Sequence, residues 1–320
     1  MLRRLVMVSL LAAIATPSQA VVPAKPAKVE QPQTANIRFD PPIDKPLRYR
    51  WEKSIDKDGK IRTAWTISEY RFTRADEGFE LRVTPIDGGT SETDPAMLAA
   101  YKRLEQLISR PFVLQLGADG TIERMKDQDH YWSAIISVLK QALDRGGGKK
   151  SNEASFRAAV NGVVQLYETM PAEIRLNLLT ESVQPIVEFG ETETTVGEPL
   201  TASLDTPSPF GGSLKQDVNI RLERVEGGKA HLAIGSSVPR AELQKLVKGL
   251  VAKVLPGKDD AELTRGLAAL EEYRHDTAAN YVVSVGDGML ESYSSVETIQ
   301  VADKGKTERR VTTRKLMQVR

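Results

Sequence analysis

The sequence predicts an α+β domain, in which long antiparallel strands form a curved sheet covered by amphipathic helices. Three observations predict it. Residues 112–125 (FVLQLGADGTIERM) alternate apolar and polar side chains into a Gly-Ala-Asp-Gly turn, the pattern of a β-hairpin. Residues 281–293 (YVVSVGDGMLESY) repeat that grammar, and in both copies a glutamate, Glu123 or Glu291, stands three residues after the turn glycine. Between such runs, apolar residues recur at helical spacing, as in Met97, Tyr101, Leu104 and Ile108.

The chain opens as a targeting segment. Arg3 and Arg4 precede a short apolar run from Leu5 to Ile14, and small residues at Ser18 and Ala20 suit cleavage after Ala20. The run is shorter than the roughly 20 residues a transmembrane helix needs. Residues 21–46 hold prolines at 23, 26, 32, 41, 42 and 46 and show little apolar periodicity, so they are expected to be a disordered linker. The remaining residues, 47–320, are expected to form one domain.

Within it, Leu47, Tyr49, Trp51 and Ile55 alternate with polar neighbours as a strand, and Asp56-Lys57-Asp58-Gly59 turns the chain. A long strand follows over 61–74. Its buried parity changes between Trp65/Ile67 and Tyr70/Phe72, which predicts a bulge near Ser68 or Glu69. Ala-Asp-Glu-Gly at 75–78 turns into Phe79, Leu81 and Val83. Asp94-Pro95 starts a helix that Arg110-Pro111 ends. After the first Asp-Gly hairpin come helices at about 129–143, around Phe156–Tyr167 and from Pro171, with Trp132 on the apolar stripe of the first. Strands at 200–204 and 214–222, a Glu-Gly-Gly turn and a strand at 230–234 follow. Pro239 opens a helix carrying Leu243, Leu246, Val247, Leu250 and Val254, and a further helix carries Leu263, Leu267 and Leu270. The second Asp-Gly hairpin and strands at 296–301 and 311–319 close the chain.

Both halves read as long strand, hairpin strand, helix and Asp-Gly hairpin, which suggests an internal duplication with pseudo-repeat halves at about 47–190 and 195–320. A half-open barrel closed by helices is a natural way to bury these surfaces. That architecture is similar to that of the lipoprotein carriers of the bacterial envelope, a likeness of fold that no shared motif carries.

Composition narrows the chemistry. The chain has no cysteine, which excludes disulfides, thiol nucleophiles and thiolate metal sites. An export signal on a disulfide-free chain points to the periplasm of a Gram-negative bacterium. Losing Arg3 and Arg4 takes the formal charge from +1 to −1, so no nucleic-acid partner is expected. The three histidines, His130, His231 and His275, have no metal-ligand spacing, and His275 is expected near a helix end. Ser137-x-x-Lys140 lies inside an apolar-periodic helix and lacks the partner elements of a β-lactamase, and Gly305-Lys306-Thr307 lacks a phosphate loop's upstream glycine. No catalytic residue, metal or cofactor is assigned.

The expected function is that of an exported, non-enzymatic carrier holding an apolar or amphiphilic envelope ligand, such as a lipid, between sheet and helices. Trp51, Trp65, Tyr70, Phe72, Phe112 and Trp132 are its candidate cavity residues. The C-terminal run with Lys306, Arg309, Arg310, Arg314 and Lys315 reads either as a charged edge strand or as a patch for anionic surfaces. Lys45, Arg48, Arg50 and Lys53 would extend that patch if the first and last strands are neighbours. Alternatives are an envelope interaction protein with a solid core and a protein partner, and an enzyme of unrecognised type.

Overall fold

A computed structural model describes residues 33–146, 154–207, 213–254, 272–303 and 306–319. The targeting segment, residues 21–32 of the proline-rich stretch and the expected helix at Leu263–Leu270 lie outside them.

Alternating sequence becomes sheet. Eleven strands form one antiparallel sheet: β2 (Leu47–Lys57), β3 (Lys60–Ala75), β4 (Gly78–Thr90), β5 (Phe112–Leu116), β6 (Ile122–Met125), β8 (Leu200–Pro207), β9 (Ser213–Glu226), β10 (Lys229–Ser237), β11 (Glu272–Ser284), β12 (Leu290–Asp303) and β13 (Lys306–Val319). Their order is β6-β5-β4-β3-β2-β13-β12-β11-β10-β9-β8. β6 and β8 are therefore edges, and the sheet does not close into a barrel. The register between β3 and β4 shifts between Ile67 and Ser68, but the extra residue is Ile86 of β4. β3 pairs with β2 without interruption, so the expected bulge in β3 is absent, and Trp65 and Ile67 simply lie on the other face from Tyr70 and Phe72. The β2–β3 turn is a tight one: Asp58 and Gly59 both have positive φ (54° and 79°), and Asp56 Oδ1 accepts the Gly59 N–H at 2.9 Å.

The helices are α1 (Pro95–Ile108), α2 (Gln128–Gly146), α3 (Ala154–Glu168), α4 (Ala172–Leu179), α5 (Gln184–Val187) and α6 (Arg240–Val254). They are a minor part of a mainly β molecule, so the α+β reading holds only in part. α1 packs on α2 and α3 on α6, while α5 lies on β12 and α6 touches β9. Trp132, Ile136, Met170 and Ile174 make a small helical core of their own.

The main core covers the inner face of the sheet. Tyr49, Phe72, Leu81, Leu114, Leu222 and Leu316 are fully buried there. The stretch read as linker contributes to it. β1 (Thr34–Ile37) pairs with β7 (Thr192–Thr195) as a separate two-stranded sheet, Ile37 is fully buried, and Ile43 bridges to Phe72. Residues 34–43, expected to be linker, are thus part of the packed structure, because four closely spaced apolar residues, Ala35, Ile37, Phe39 and Ile43, anchor an otherwise proline-rich segment. Residues 38–39 also meet both Asp-Gly hairpins. A Cβ at Gly120 would stand 2.9 Å from the Phe39 ring, and one at Gly288 would collide with the Arg38 carbonyl. Both glycines have positive φ, so each turn needs glycine twice over.

The last strand is not an edge. β13 lies between β2 and β12, paired along its length on both sides. Its charge cannot serve to guard an edge.

Candidate functional site

Strand register brings a set of charged residues together on the inner face. Lys53 of β2 pairs with Arg314 of β13, Arg314 with Ser295 of β12, Thr312 with Glu297, and Glu297 with Thr277 of β11. Alternation places all of them on the face that carries Tyr49, Leu316, Tyr293 and Tyr281. Along each strand the inner face is apolar at one end and becomes polar within two to four residues.

The polar end is an ion chain. Glu181, on the connection between α4 and α5, accepts from Lys53 Nζ at 2.8 Å on both oxygens and from Arg314 Nε at 2.8 Å. Arg314 Nη2 reaches Glu297 Oε2 at 2.8 Å, and Glu297 Oε1 lies 3.1 Å from His275 Nε2. Arg314, Glu297 and His275 are each less than 5% exposed. Burial alone would raise the Glu297 carboxyl. The His275 hydrogen bond and the Arg314 charge outweigh it and bring its pKa down to about 2. For Glu181, likewise, burial is outweighed by Lys53 and Arg314, and the pKa falls.

Next to this chain runs an aromatic row. Trp51 stacks on Tyr293 with centroids 6.2 Å apart, Tyr293 meets Tyr281 at 4.8 Å, and Tyr281 meets Phe189 edge-on at 4.7 Å. Tyr281 Oη donates to Glu188 Oε2 at 2.9 Å. Glu188 is exposed, and the protein on one side of its carboxyl costs it solvation. That desolvation raises its pKa, with the Tyr281 hydrogen bond pulling the other way. The inner face thus sets apolar wall, fixed charge and a solvent-reachable carboxylate side by side.

Four buried polar atoms beside the ion chain have no hydrogen-bond partner among the described residues: Arg310 Nε, Arg314 Nη1, His275 Nδ1 and Thr277 Oγ1. They sit on β13 and β11, on either side of Glu297.

The cavity residues expected from sequence fall into separate places. Trp51 is in the aromatic row. Tyr70 and Phe72 are buried in the main core, against Tyr49 and Phe39. Trp65 is on the opposite sheet face under the Arg50 guanidinium, 4.2 Å away. Phe112 meets Tyr131, and Trp132 stacks on Tyr167 in the helical core while donating its indole N–H to the Tyr167 carbonyl. The basic run is split by alternation. Arg310 and Arg314 turn inward and are buried, Arg309 and Lys315 are exposed on the outer face, and Lys306 opens β13 opposite Asp303. β2 and β13 are neighbours, so Arg48 and Arg50 share the outer face with Arg309 and Lys315.

Sequence reasoning missed His275, Glu297 and Glu181. His275 is in a strand beginning at Glu272, not at a helix end. Counting by twos back from Tyr281 would have put it on the buried parity.

On the other sheet face, a depression of about 610 Å³ spans β8 to β11. Small and apolar residues, among them Val218, Ala233, Ile234 and Gly235, line it together with the polar Asp217, Asn219, Arg221 and Asp276, and no aromatic side chain does. Among the described residues no cluster of three or more His, Asp or Glu could hold a metal, and no helix is long and apolar enough to cross a membrane.

No family model matches the chain, and no curated protein matches it. A solved structure described as showing lipid–protein interactions in lipovitellin resembles it at a TM-score of 0.46 and 10% identity, over 87% of this chain. The chain spans 25% of that structure's chain.

Proposed function

We propose that this protein is an exported periplasmic carrier, without catalytic activity, that holds an amphiphilic envelope ligand on the inner face of its sheet. The observation that carries the reading is the juxtaposition of the Trp51–Tyr293–Tyr281–Phe189 row with the Lys53–Glu181–Arg314–Glu297 chain. Apolar surface beside a few convergent polar groups is the usual make-up of a small-molecule site. A buried ion chain is weak evidence for stability, since an apolar replacement of similar volume often serves as well or better. Its placement beside an aromatic wall is better explained by recognition. The Arg3-Arg4 and Ala20 pattern supports export.

The test is native mass spectrometry of mature protein isolated gently from periplasm, followed by organic extraction. A stoichiometric amphiphile is expected. A clean apo mass, unchanged after incubation with envelope lipids, would sink the reading.

A second reading is an envelope interaction protein with a solid core and no ligand. The full burial of Tyr49, Tyr70 and Phe72 favours it, as does the free β8 edge with Leu200 and Leu204 half exposed. Crosslinking in cells through β8 would then recover a protein partner where extraction recovers no lipid.

A further inference from the structure

Among the described residues, the ion chain leaves one buried cation, Arg310, outside any ion pair. On this strip Lys53, Arg310 and Arg314 face Glu181 and Glu297. Both carboxylates are already engaged, Glu181 by Lys53 and Arg314, and Glu297 by Arg314 and His275. Arg310 is 8% exposed, its Nε bonds to nothing, and no carboxylate among the described residues forms an ion pair with it. Glu297 attracts it through space, while burial and the neighbouring Arg314 charge work against its protonated form.

Register shows how compact the unpaired set is. Arg310 lies across Ile299 from His275, and Thr312 lies across Glu297 from Thr277. The two outer strands are therefore two sheet spacings apart, roughly 10 Å, with Thr277 about 7 Å from His275 along β11 and Arg314 about 14 Å from Arg310 along β13, within reach of two long side chains. Buried donors without acceptors are rare, and a buried guanidinium without an anion is costly. Arg310 Nε, Arg314 Nη1 and Thr277 Oγ1 are three such donors on one strip, and together they suit a partner that brings negative charge and several acceptor oxygens.

We infer that this patch binds an oxyanion, a phosphate or carboxylate group, held by Arg310 and Arg314 from β13 and by His275 and Thr277 from β11. Guanidinium groups match the planar or tetrahedral oxygens of such anions with paired N–H bonds. Thr277 Oγ1 adds a neutral donor, and His275 Nδ1 adds another when the ring is protonated. Glu297 does not repel the anion strongly, because Arg314 and His275 hold both its oxygens. That the oxyanion is the headgroup of an amphiphile rests on the carrier reading; that the patch takes an oxyanion does not. All four atoms are sealed from bulk solvent, so binding is expected to exchange slowly and to be screened only weakly by salt.

The experiment compares thermal unfolding of the mature protein in chloride and in inorganic phosphate at equal ionic strength. It uses wild type, Arg310→Met, Arg310→Lys and, as an exposed control, Arg309→Gln. Near-saturating phosphate should raise the wild-type Tm by about 5 °C. Arg310→Met should melt higher than wild type in chloride, having lost an unpaired buried charge, and should lose the phosphate response. Arg309→Gln should follow wild type in both. Should Arg310→Met fail to fold, phosphate titrated calorimetrically into wild type and Arg310→Lys decides the same point, with at least tenfold weaker binding expected for lysine. The same proteins are then offered a lysophosphatidate and a monoacylglycerol. Preference for the charged lipid that needs Arg310 identifies a headgroup site. Phosphate binding that needs Arg310, with neither lipid bound, supports the oxyanion site with a free anion as its source and removes the carrier reading. Equal binding of both lipids, indifferent to Arg310→Met, overturns the oxyanion site and leaves the carrier. A wild type indifferent to phosphate and to both lipids, with Arg310→Met less stable in either buffer, overturns it too and assigns Arg310 a purely structural role.

Discussion

Two stretches of one sheet face can be set against each other. Across β3, β4 and β5 the inner face carries Tyr70, Phe72, Leu81 and Leu114, all buried and apolar apart from the tyrosine hydroxyl. Across β11, β12 and β13 the same face carries, beyond Tyr281, Tyr293 and Leu316, a strip of His275, Thr277, Glu297, Arg310, Thr312 and Arg314, equally buried and polar apart from Ile299. The topology treats the regions alike. In both, sequential strands pair antiparallel, β3 with β4 and β4 with β5 in one, β11 with β12 and β12 with β13 in the other. What differs is what each burial achieves. The apolar stretch removes hydrocarbon from water and stabilises the fold. The polar stretch places charges where they bring little net stability and where only another polar group can complete their bonding.

The largest effect should come from the dry side. Phe72→Ala, at a fully buried position against Phe39, is expected to cost about 4 kcal/mol in denaturant unfolding. A loss below about 1 kcal/mol would mean that this region is not the core.

On the polar side, Arg314→Met should cost about 3 kcal/mol, because it leaves Glu181 and Glu297 short of their shared partner. Adding Glu297→Gln to Arg314→Met should restore part of that loss. Additive losses would show that the two residues do not interact.

Acid should separate the regions as well. Glu297 titrates near 2 in the folded protein against an ordinary value of 4.5, so its folded pKa is depressed. Its contribution, on the order of 3 kcal/mol, is present above about pH 4.5 and is lost as pH falls from there towards 2. Glu297→Gln should flatten stability against pH in that window, whereas Phe72→Ala should leave the slope unchanged.

Glu188 carries the opposite sign. Its folded pKa is raised, so its contribution is present below the unfolded value and is lost as pH rises through the folded one. Glu188→Gln should therefore stabilise the protein slightly at neutral pH, by less than about 1 kcal/mol given its exposure. The smallest change is expected on the outer face. Arg48→Ala, which breaks an exposed pair with Glu69 at 3.4 Å, should stay within about 0.5 kcal/mol.

The dry region was the more legible in sequence, for a physical reason. Alternation of Phe79, Leu81 and Val83, or of Phe112, Leu114 and Leu116, marks a buried face directly, whereas Trp65 and Ile67 read as a change of parity because large apolar residues also stand on the outer face of β3. The polar region hides because the same rule reads a charged residue as solvent-facing. Arg310 and Arg314 alternate with Val311 and Thr313, which suggests wet arginines, yet β13 is central and the arginines are the buried parity. Which parity faces inward depends on the partner strands, and pairing β13 with β2 spans almost the whole chain. Glu181 has no periodicity at all, since it reaches the site from a helix connection. Phe39 was obscured by the prolines around it, although its burial is what draws the two Asp-Gly turns onto one segment.

The most direct test of a carrier with an anionic headgroup site is to isolate mature protein from periplasm under gentle conditions, record its native mass, and identify what an organic solvent extracts. One amphiphile per chain is expected, carrying a phosphate or carboxylate, retained by Arg309→Gln and lost from Arg310→Met. A bare polypeptide mass that envelope lipids do not shift would contradict it.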